Sequence, residues 1–248
     1  MNSAFTLFAN AAGTARATKE MRSVTNLPPS SAVLDDRVTS AQLSDSLDAL
    51  GERGHVMSAA IRPLRPGARI VGRARTIRFE PIAEPAEVVY QNPDPYRPFI
   101  EFMDGVQQGD MIVVGTGGDQ RSAYWGELFS AAAIGRGAIG VICDSYTRDR
   151  PKVEALGFPV FSAGTRPLDY RARMRIESTQ QPITCADVQV SPGDLVLADD
   201  DGIVVVPEAV REQTVRRANE RATTESTVLD ELLGGRTLGE VWNAYGVL

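Results

Sequence analysis

The sequence has little histidine and little cysteine: one histidine and two cysteines among 248 residues. Cys143 and Cys185 have no metal-ligand spacing and are too few for a disulfide scaffold, which favours a reducing compartment. Both are predicted to be small, buried apolar side chains. His55 is the single histidine and therefore a candidate general acid or base. It lies just after a predicted helix end, in GERGHVM, and a catalytic role for it is disfavoured.

Long apolar runs and blocks of like charge are also missing. No run approaches the roughly 20 residues of a membrane span, so no membrane partner is expected. The net charge of -6 is spread among interspersed acids and bases, which disfavours a nucleic-acid partner. The N-terminal segment has no basic stretch before its apolar residues, so a signal peptide is not expected and a cytoplasmic location is predicted.

What is present indicates one α/β domain, with 43% hydrophobic and 23% charged residues. MIVVG, at 111–115, is a buried strand by its length and apolar content. The alanine-rich segment 124–136 then favours a helix, and AIGVICD and FPVFSAG favour two further strands. Strand, helix and strand in this order predict a central βαβ unit with neighbouring parallel strands.

The flanking segments complete the predicted architecture. Thr39 and Gln42 form a capping box before a helix that stops at Gly51, and 68–79 is a strand rich in β-branched residues. A short helix is entered through proline near 94–98. After the βαβ unit, turns predict an antiparallel hairpin module, and two C-terminal helices follow Pro207. Residues 1–37 are predicted to be an N-terminal arm, and 38–248 a single domain.

Three charged residues are predicted to meet at one edge of the sheet. Twenty residues separate Glu127 from the adjacent pair Arg148 and Asp149. The helix 124–136 runs about 20 Å, and the following strand retraces about the same length. Glu127 and the Arg148–Asp149 pair therefore return to the same level, outside the carboxyl ends of the strands, where α/β proteins bind ligands.

This arrangement predicts an anion site beside a metal site. The helix start, from Gly126 to Leu128 and Phe129, offers unpaired amides and a positive dipole end, and Arg148 adds a guanidinium, so a small carboxylate is the expected ligand. Asp149 and Glu127 supply oxygen ligands that suit Mg²⁺ or Mn²⁺. A second interpretation stays open at this point, with Glu127 as a helix-dipole partner and Arg148–Asp149 as a solvated loop pair.

The motif resembles a known family. The motif, in which twenty residues separate an acid from an Arg-Asp pair, resembles that of class II pyruvate aldolases. These enzymes cleave 4-hydroxy-4-methyl-2-oxoglutarate and 4-carboxy-4-hydroxy-2-oxoadipate, and their family includes the regulator of ribonuclease activity A. The resemblance runs over about residues 38–246, from SAQLSDSLDALG through the PGD and DDDGIVVVP segments to GRTLGEVWNAYG. The acid here is Glu127, where the aldolases have Asp and the regulator branch has Gly.

The resemblance implies a layered α/β sandwich like a phosphohistidine swivelling domain, in homotrimers or homohexamers with active sites between subunits. It implies that Asp149 binds the divalent metal, partly through water, that Arg148 contacts the keto-acid end of the substrate and that Glu127 orients water on the metal. The expected reaction is cleavage of a 4-hydroxy-2-oxo acid through a pyruvate enolate, and oxaloacetate decarboxylation would share that enolate. The alternative is a non-catalytic, protein-binding regulator.

Departures from the family pattern concern the substrate. Lys152 stands where the regulator-like proteins have an acid three residues beyond the Arg-Asp pair, and Glu154 is displaced by two residues. The N-terminal arm and the insertion at 92–98 look longer than in the short aldolases. The pocket beyond the oxo-acid end is therefore expected to be built by this insertion and a neighbouring chain.

Other polar candidates have simpler interpretations. Asp45 is a weaker cross-subunit candidate on the polar side of the first helix. Asp199, Asp200 and Asp201 resemble a metal cluster, but Asp-Gly at a hairpin turn explains them. Ser130 lacks a nucleophile elbow and a partnered histidine. Three glycines lack the full dinucleotide-binding spacing and are predicted to let the backbone approach a small ligand: Gly115, Gly117 and Gly118.

Overall fold

A computed structural model describes residues 33–83, 91–92 and 94–247. The helices in this part of the chain are α1 (Ser40–Asp48), α2 (Arg97–Asp104), α3 (Glu127–Arg136), α4 (Arg150–Leu156), α5 (Arg211–Leu233), which follows a 3-10 turn at Glu208–Val210, and α6 (Leu238–Tyr245). The strands are β1 (Arg62–Pro63), β2 (Ile70–Pro81), β3 (Asp110–Gly115), β4 (Ala123–Trp125), β5 (Gly140–Cys143), β6 (Tyr146–Thr147), β7 (Val160–Ser162), β8 (Gly164–Thr165), β9 (Met174–Thr179), β10 (Ile183–Cys185), β11 (Val188–Val190), β12 (Leu195–Ala198) and β13 (Ile203–Val206).

The main sheet is mixed, and its order is β1-β7-β5-β3-β2-β12-β13, with β9 also paired to β2. The predicted βαβ unit is confirmed: β3 and β5 are parallel neighbours, Val113 opposite Ile142, and α3 connects them. The predicted hairpin is confirmed as well, because β12 and β13 are antiparallel. The α/β class expected from the alternating elements is therefore the class observed.

Alternate residues of the central strands pack on opposite faces of this sheet. Ile112 and Val114 join a cluster with aromatic residues of α2, while Met111 and Val113 join a second cluster that includes β10 and β11. Burial on both faces explains the continuous apolar sequence of β3. Cys143 and Cys185 are buried free thiols, as predicted, and burial raises the pKa of each.

Helix α1 begins at the predicted capping box, in which Thr39 and Gln42 cap each other. Its Leu43 and Leu47 pack with α5 and the β12–β13 hairpin. The helix ends at Asp48, with Ala49 as its C-cap, shortly before the predicted stop at Gly51, and Leu50 is only half-buried. No helix in the described ranges combines the length and apolarity needed to cross a bilayer.

The predicted N-terminal arm lies mostly outside the described residues, which begin at Val33. The described end of the arm contacts α5: Leu34 is buried and the Asp35 amide donates to Asn219 Oδ1 at 2.9 Å. The boundary between arm and domain at residue 38 remains a prediction.

The predicted start of the central helix was wrong. Segment 124–136 was expected to be helical throughout, but 123–125 is a strand and α3 begins at Glu127. Tyr124 and Trp125 are fully buried aromatic residues, and β4 pairs in parallel with β6, Trp125 opposite Thr147. Tertiary pairing of the large aromatic residues thus places 123–125 in a strand, and the helix favoured by the alanines begins only at Glu127.

Candidate active site

Gly126 forms the junction between β4 and α3. Its extended backbone serves as the N-cap of α3. A β-carbon on Gly126 would lie 2.8 Å from Asp149 Oδ2 and 3.2 Å from Arg148 Cγ. The absence of a side chain therefore allows the Arg148–Asp149 loop to lie directly against the start of the helix.

Ser130 links the side chain of Trp125 to the backbone at this junction. Trp125 Nε1 donates to Ser130 Oγ at 2.8 Å, and Ser130 Oγ donates to the Gly126 carbonyl at 2.9 Å. The hydroxyl is buried, and its proton is donated to the Gly126 carbonyl. These two bonds hold the hydroxyl at the start of α3.

Arg148 and Asp149 follow β6 and lie beside Glu127, as predicted. The Arg148 amide donates to the Trp125 carbonyl at 2.9 Å, and the Glu127 amide lies 3.4 Å from Asp149 Oδ2. Asp149 has a φ of 58°, a left-handed conformation that aspartate tolerates better than most residues but that still costs free energy. Such strain is concentrated at functional sites in proteins, and here it directs a carboxylate toward the helix start.

Two further residues complete the polar cluster and were missed from the sequence. Arg148 Nη1 donates to Asp169 Oδ2 at 3.2 Å, and the Tyr96 hydroxyl donates to the same oxygen at 2.7 Å. Tyr96 belongs to the insertion at 92–98, and the length of this insertion was the signal in the sequence that could have indicated a role for it. Asp169 lies in an irregular segment after β8, where no periodic pattern indicates its position.

Burial favours the neutral form of Asp169, but hydrogen bonds from the Arg171 amide and the Tyr96 hydroxyl, with the charge of Arg148, outweigh it and lower the pKa of Asp169. Burial and the bond to Asp169 raise the pKa of Tyr96. Tyr96 therefore remains a hydrogen-bond donor, and Asp169 remains ionised, at neutral pH.

The predicted site residues line a single cavity of about 320 Å³. This size lies at the lower end of the roughly 300–1,000 Å³ typical of ligand pockets. The cavity is bounded by the start of α3, the Arg148–Asp149 loop, α2 and the segment around Asp169; its lining residues are Tyr96, Ile100, Ala123, Tyr124, Trp125, Gly126, Glu127, Leu128, Phe129, Arg148, Asp149, Asp169 and Tyr170. In the first turn of α3, the amides of Leu128 and Phe129 lack intrahelical acceptors.

Glu127 has a partner that the sequence did not predict. Lys152 Nζ donates to Glu127 Oε2 at 2.8 Å, and this bond raises the pKa of Lys152. The lysine that departs from the family pattern thus neutralises the acid of the motif. Both side chains are substantially exposed, so the pair contributes little to stability.

The donor set fits a hard cation held by few protein ligands. Asp149 offers a carboxylate whose side chain is 41% exposed, beside the Glu127 carboxylate. In the described part of the chain no three His, Cys, Asp or Glu residues are grouped to enclose a metal. One or two carboxylates suffice for Mg²⁺, which keeps several waters. The side chains are therefore compatible with the predicted Mg²⁺ or Mn²⁺ at Asp149 and Glu127, and that assignment stays a prediction.

The other sequence candidates lie elsewhere. His55 Nε2 is 3.3 Å from Glu52, and Asp45 pairs with Arg221 at 2.8 Å. Asp199 accepts bonds from the amide and hydroxyl of Ser40, so it holds α1 against the hairpin turn.

The glycines after β3 do not line the Glu127 cavity. Gly117 and Gly118 border a separate cavity of about 620 Å³, and the Gly118 amide donates to Asp144 at 3.2 Å. Gly115 lies against another strand, since a β-carbon there would meet the Thr184 carbonyl at 2.7 Å. The predicted contact of these glycines with a ligand stays untested.

Asp169→Asn is expected to lower the free energy of unfolding at pH 7 by roughly 1–2 kcal/mol, because a charged acceptor of several hydrogen bonds is lost. The pKa of folded Asp169 lies below the unfolded value of about 3.9. Its contribution is therefore complete above about pH 3.9 and lost as pH falls through the folded pKa. Urea unfolding at pH 7 and pH 3 measures both effects.

The matched control for this experiment is Asp104→Asn, at an exposed position on α2. It is expected to leave both the stability and its pH dependence close to those of the unchanged protein. Equal acid sensitivity of Asp169→Asn and the unchanged protein would contradict the assigned role of the Asp169 carboxylate.

Most of the chain is similar to known proteins. A family model described as RraA-like, Aldolase/RraA, matches residues 40–205, which include the whole Glu127–Asp149 motif. A protein of Halalkalibacterium halodurans named "Putative 4-hydroxy-4-methyl-2-oxoglutarate aldolase" is 29% identical over 179 residues, which are 72% of this chain and 77% of the relative. Protein DlpA of Legionella pneumophila is 29% identical over 206 residues, 83% of this chain. This chain spans only 32% of the length of DlpA.

A solved structure shows the same fold. RraAS2 of Streptomyces coelicolor, described as an unusual member of the RNase ES inhibitor RraA protein family, superposes with a TM-score of 0.67 at 29% identity. The alignment covers 77% of this chain and 91% of RraAS2. The mixed α/β architecture is thus shared with a protein described as a ribonuclease-inhibitor relative.

Proposed function

Because this chain belongs to the RraA-like (Aldolase/RraA) family, we propose that it is a divalent-metal-dependent aldolase that cleaves a 4-hydroxy-2-oxo acid to pyruvate and a carbonyl product. The observation that carries the proposal is the convergence of the Glu127 helix start, Arg148 and Asp149 on one cavity. The aldolase name of the Halalkalibacterium relative supports the reaction class. The same site would decarboxylate oxaloacetate, because both reactions generate the pyruvate enolate.

Substrate binding is assigned to the positive end of the cavity. Arg148, with the free amides of Leu128 and Phe129, would hold the carboxylate of the oxo acid. Arg148 Nη1 also donates to Asp169 Oδ2 at 3.2 Å, and this bond restricts the orientation of the guanidinium. Preorganised donors of this kind stabilise charge that develops in the transition state.

Metal binding and proton transfer are assigned to the two acids of the motif, Glu127 and Asp149. Asp149, with Glu127, would hold Mg²⁺ or Mn²⁺, and such an ion acts when bound as a Lewis acid toward the 2-oxo group. Glu127, kept in place by Lys152, would accept the proton of the C4 hydroxyl through a water molecule. The electrons of the C3–C4 bond then pass to the enolate, and protonation at C3 gives pyruvate.

Pyruvate release tests the proposal. Purified protein with added Mg²⁺ or Mn²⁺ is expected to release pyruvate from 4-hydroxy-4-methyl-2-oxoglutarate or oxaloacetate, measured with lactate dehydrogenase and NADH. EDTA is expected to abolish the release, and excess metal to restore it. Absence of pyruvate from every 2-oxo acid tested, with either metal, would exclude the aldolase.

A second function is favoured by one contact. The Glu127 carboxylate is already engaged by Lys152 at 2.8 Å, which competes with its use as a metal ligand or base. A non-catalytic regulator that binds protein, as the description of RraAS2 suggests for that relative, would need no free carboxylate at this position. Inhibition of a ribonuclease by this chain, without pyruvate release, would favour this alternative. A homotrimer or homohexamer with shared sites is part of either proposal.

A further inference from the structure

The walls of the Glu127 cavity away from its charged end are apolar and aromatic. Ile100 and Leu128 project from α2 and α3, and both are exposed in the single chain. Aromatic rings make up most of the remaining wall: Tyr96, Trp125, Phe129 and Tyr170. A substituent that extends from the oxo-acid end would therefore meet hydrocarbon surface.

These aromatic rings pack against one another, against Tyr124, which also lines the cavity, and against Phe99 behind them, so the wall is firm. Phe129 lies 4.1 Å from Phe99, centroid to centroid. Tyr170 stacks on Tyr124 at 5.7 Å and meets Tyr96 edge-on at 6.0 Å. Close-packed rings of this kind resist rearrangement, so the wall is a fixed part of the binding site.

The charge of the cavity opposes a second carboxylate. Among the described residues that line it, Arg148 is the one cation. Of the three lining acids, Glu127 is paired with Lys152 and Asp149 is assigned to the metal, so Asp169 is the acid that the C4 substituents would face. Arg148 is shared with Asp169, and its remaining capacity would be used by the carboxylate of the oxo acid. A second carboxylate would face Asp169 without a cation of its own, which costs free energy.

No other arginine is among the described residues that line the cavity. Arg171 lies nearby: its amide donates to Asp169 Oδ1 at 3.0 Å, and its guanidinium is 5.8 Å from the centre of the Tyr96 ring. Two more arginines lie on the far side of the Arg148–Asp149 pair. Arg150 and Arg166 border a separate cavity of about 420 Å³. Arg150 Nη2 donates to the Leu64 carbonyl at 2.9 Å, and Arg166 donates to the Gln120 carbonyl. Arg150 and Arg166 therefore do not line the Glu127 cavity and do not supply a partner for a second substrate carboxylate there.

We propose, on the basis of the proposed function, that the substrate is a 4-hydroxy-2-oxo monocarboxylic acid whose C4 substituents are apolar. The juxtaposition that carries this inference is the aromatic and aliphatic wall from Tyr96, Ile100, Leu128 and Phe129 beside the Asp169 carboxylate. The substrate in the name of the Halalkalibacterium relative, in contrast, carries a second carboxylate at C4.

The reaction needs no oxidant or reductant. The C4 hydroxyl loses its proton, the C3–C4 bond breaks and the C4–O bond becomes a carbonyl. The electron pair forms the pyruvate enolate, which takes a proton at C3. The products are pyruvate and an apolar aldehyde or ketone, released from the aromatic side of the cavity.

Two substrates that differ by one group provide the test. 4-Hydroxy-4-methyl-2-oxopentanoate has a methyl group where 4-hydroxy-4-methyl-2-oxoglutarate has a carboxylate. The kcat/KM of the protein is expected to be at least about 10-fold higher for the pentanoate, from the loss of charge repulsion and the gain of apolar contact. Because the glutarate yields two pyruvates per cleavage, rates are normalised to bonds broken.

An introduced cation makes the test specific to the wall. Ile100→Arg places a guanidinium at the cavity and is expected to shift the kcat/KM ratio about 10-fold or more toward the glutarate. Ile134→Arg is the matched control, because Ile134 is 44% exposed, Ile100 is 42% exposed and Ile134 does not line the cavity. The control is expected to leave the ratio unchanged.

Exchange of the pyruvate methyl protons in D₂O, followed by NMR, separates the two proposals, because it requires the oxo-acid end alone. Exchange together with a preference for the glutarate would overturn the substrate inference and leave the aldolase intact. An unchanged ratio in Ile100→Arg would also overturn it. Absence of both exchange and cleavage would overturn both proposals.

Discussion

Asp149→Asn is expected to lower kcat/KM for pyruvate release by roughly 10²–10³-fold, equivalent to about 2.7–4 kcal/mol of transition-state stabilisation. The substitution removes the charge proposed to hold the metal and changes little else. Asparagine has nearly the same shape and accepts the left-handed conformation, φ 58°, that this position requires. The folded structure is therefore expected to persist.

Two measurements complete this experiment. Mn²⁺ affinity, from electron paramagnetic resonance of the free ion, is expected to fall in Asp149→Asn and to stay unchanged in Asp201→Asn, an exposed acid of the β12–β13 turn. Thermal unfolding confirms that both variants fold. Full activity of Asp149→Asn would refute the metal-binding role proposed for Asp149, and retained inhibition of a ribonuclease by this variant, without pyruvate release by the unchanged protein, would favour the regulator.

Gly126→Ala is expected to lower kcat/KM by about 10²-fold with little effect on folding. The added methyl group would lie 2.8 Å from Asp149 Oδ2 and 3.2 Å from Arg148 Cγ, so the two side chains must shift. Asp149 is exposed and can move cheaply, which limits the change in the free energy of unfolding to about 1 kcal/mol. A displacement near 1 Å in an active site can still cost about 10²-fold in rate.

Gly135→Ala is the matched control for this prediction. Gly135 lies in the same helix, and a β-carbon there would meet no atom within 4 Å. Alanine at this position is expected to stabilise the protein by roughly 0.5–1 kcal/mol and to leave kcat/KM unchanged. If Gly126→Ala and Gly135→Ala had equal activity, close approach of the Arg148–Asp149 loop would have no catalytic importance.

The meeting of Glu127 with Arg148 and Asp149 could be predicted from the sequence, although the predicted route was only partly right. Matched lengths of helix and strand were expected to return the chain to one level. The observed helix is three residues shorter at its start, and the parallel pairing of β4 with β6 sets the contact instead. Trp125 is opposite Thr147, so the residues that follow each strand begin side by side.

The sequence by itself determined the α/β class, the βαβ order, the capping box at Thr39 and the acidic and basic residues of the motif. These features depend on apolar periodicity, turn residues and chain length, which act over short stretches. Only the tertiary structure decided that Asp169 and Tyr96 hold Arg148, that Lys152 neutralises Glu127 and that aromatic rings wall the cavity. These contacts join segments far apart in the chain through packing and irregular loops, for which no local pattern exists.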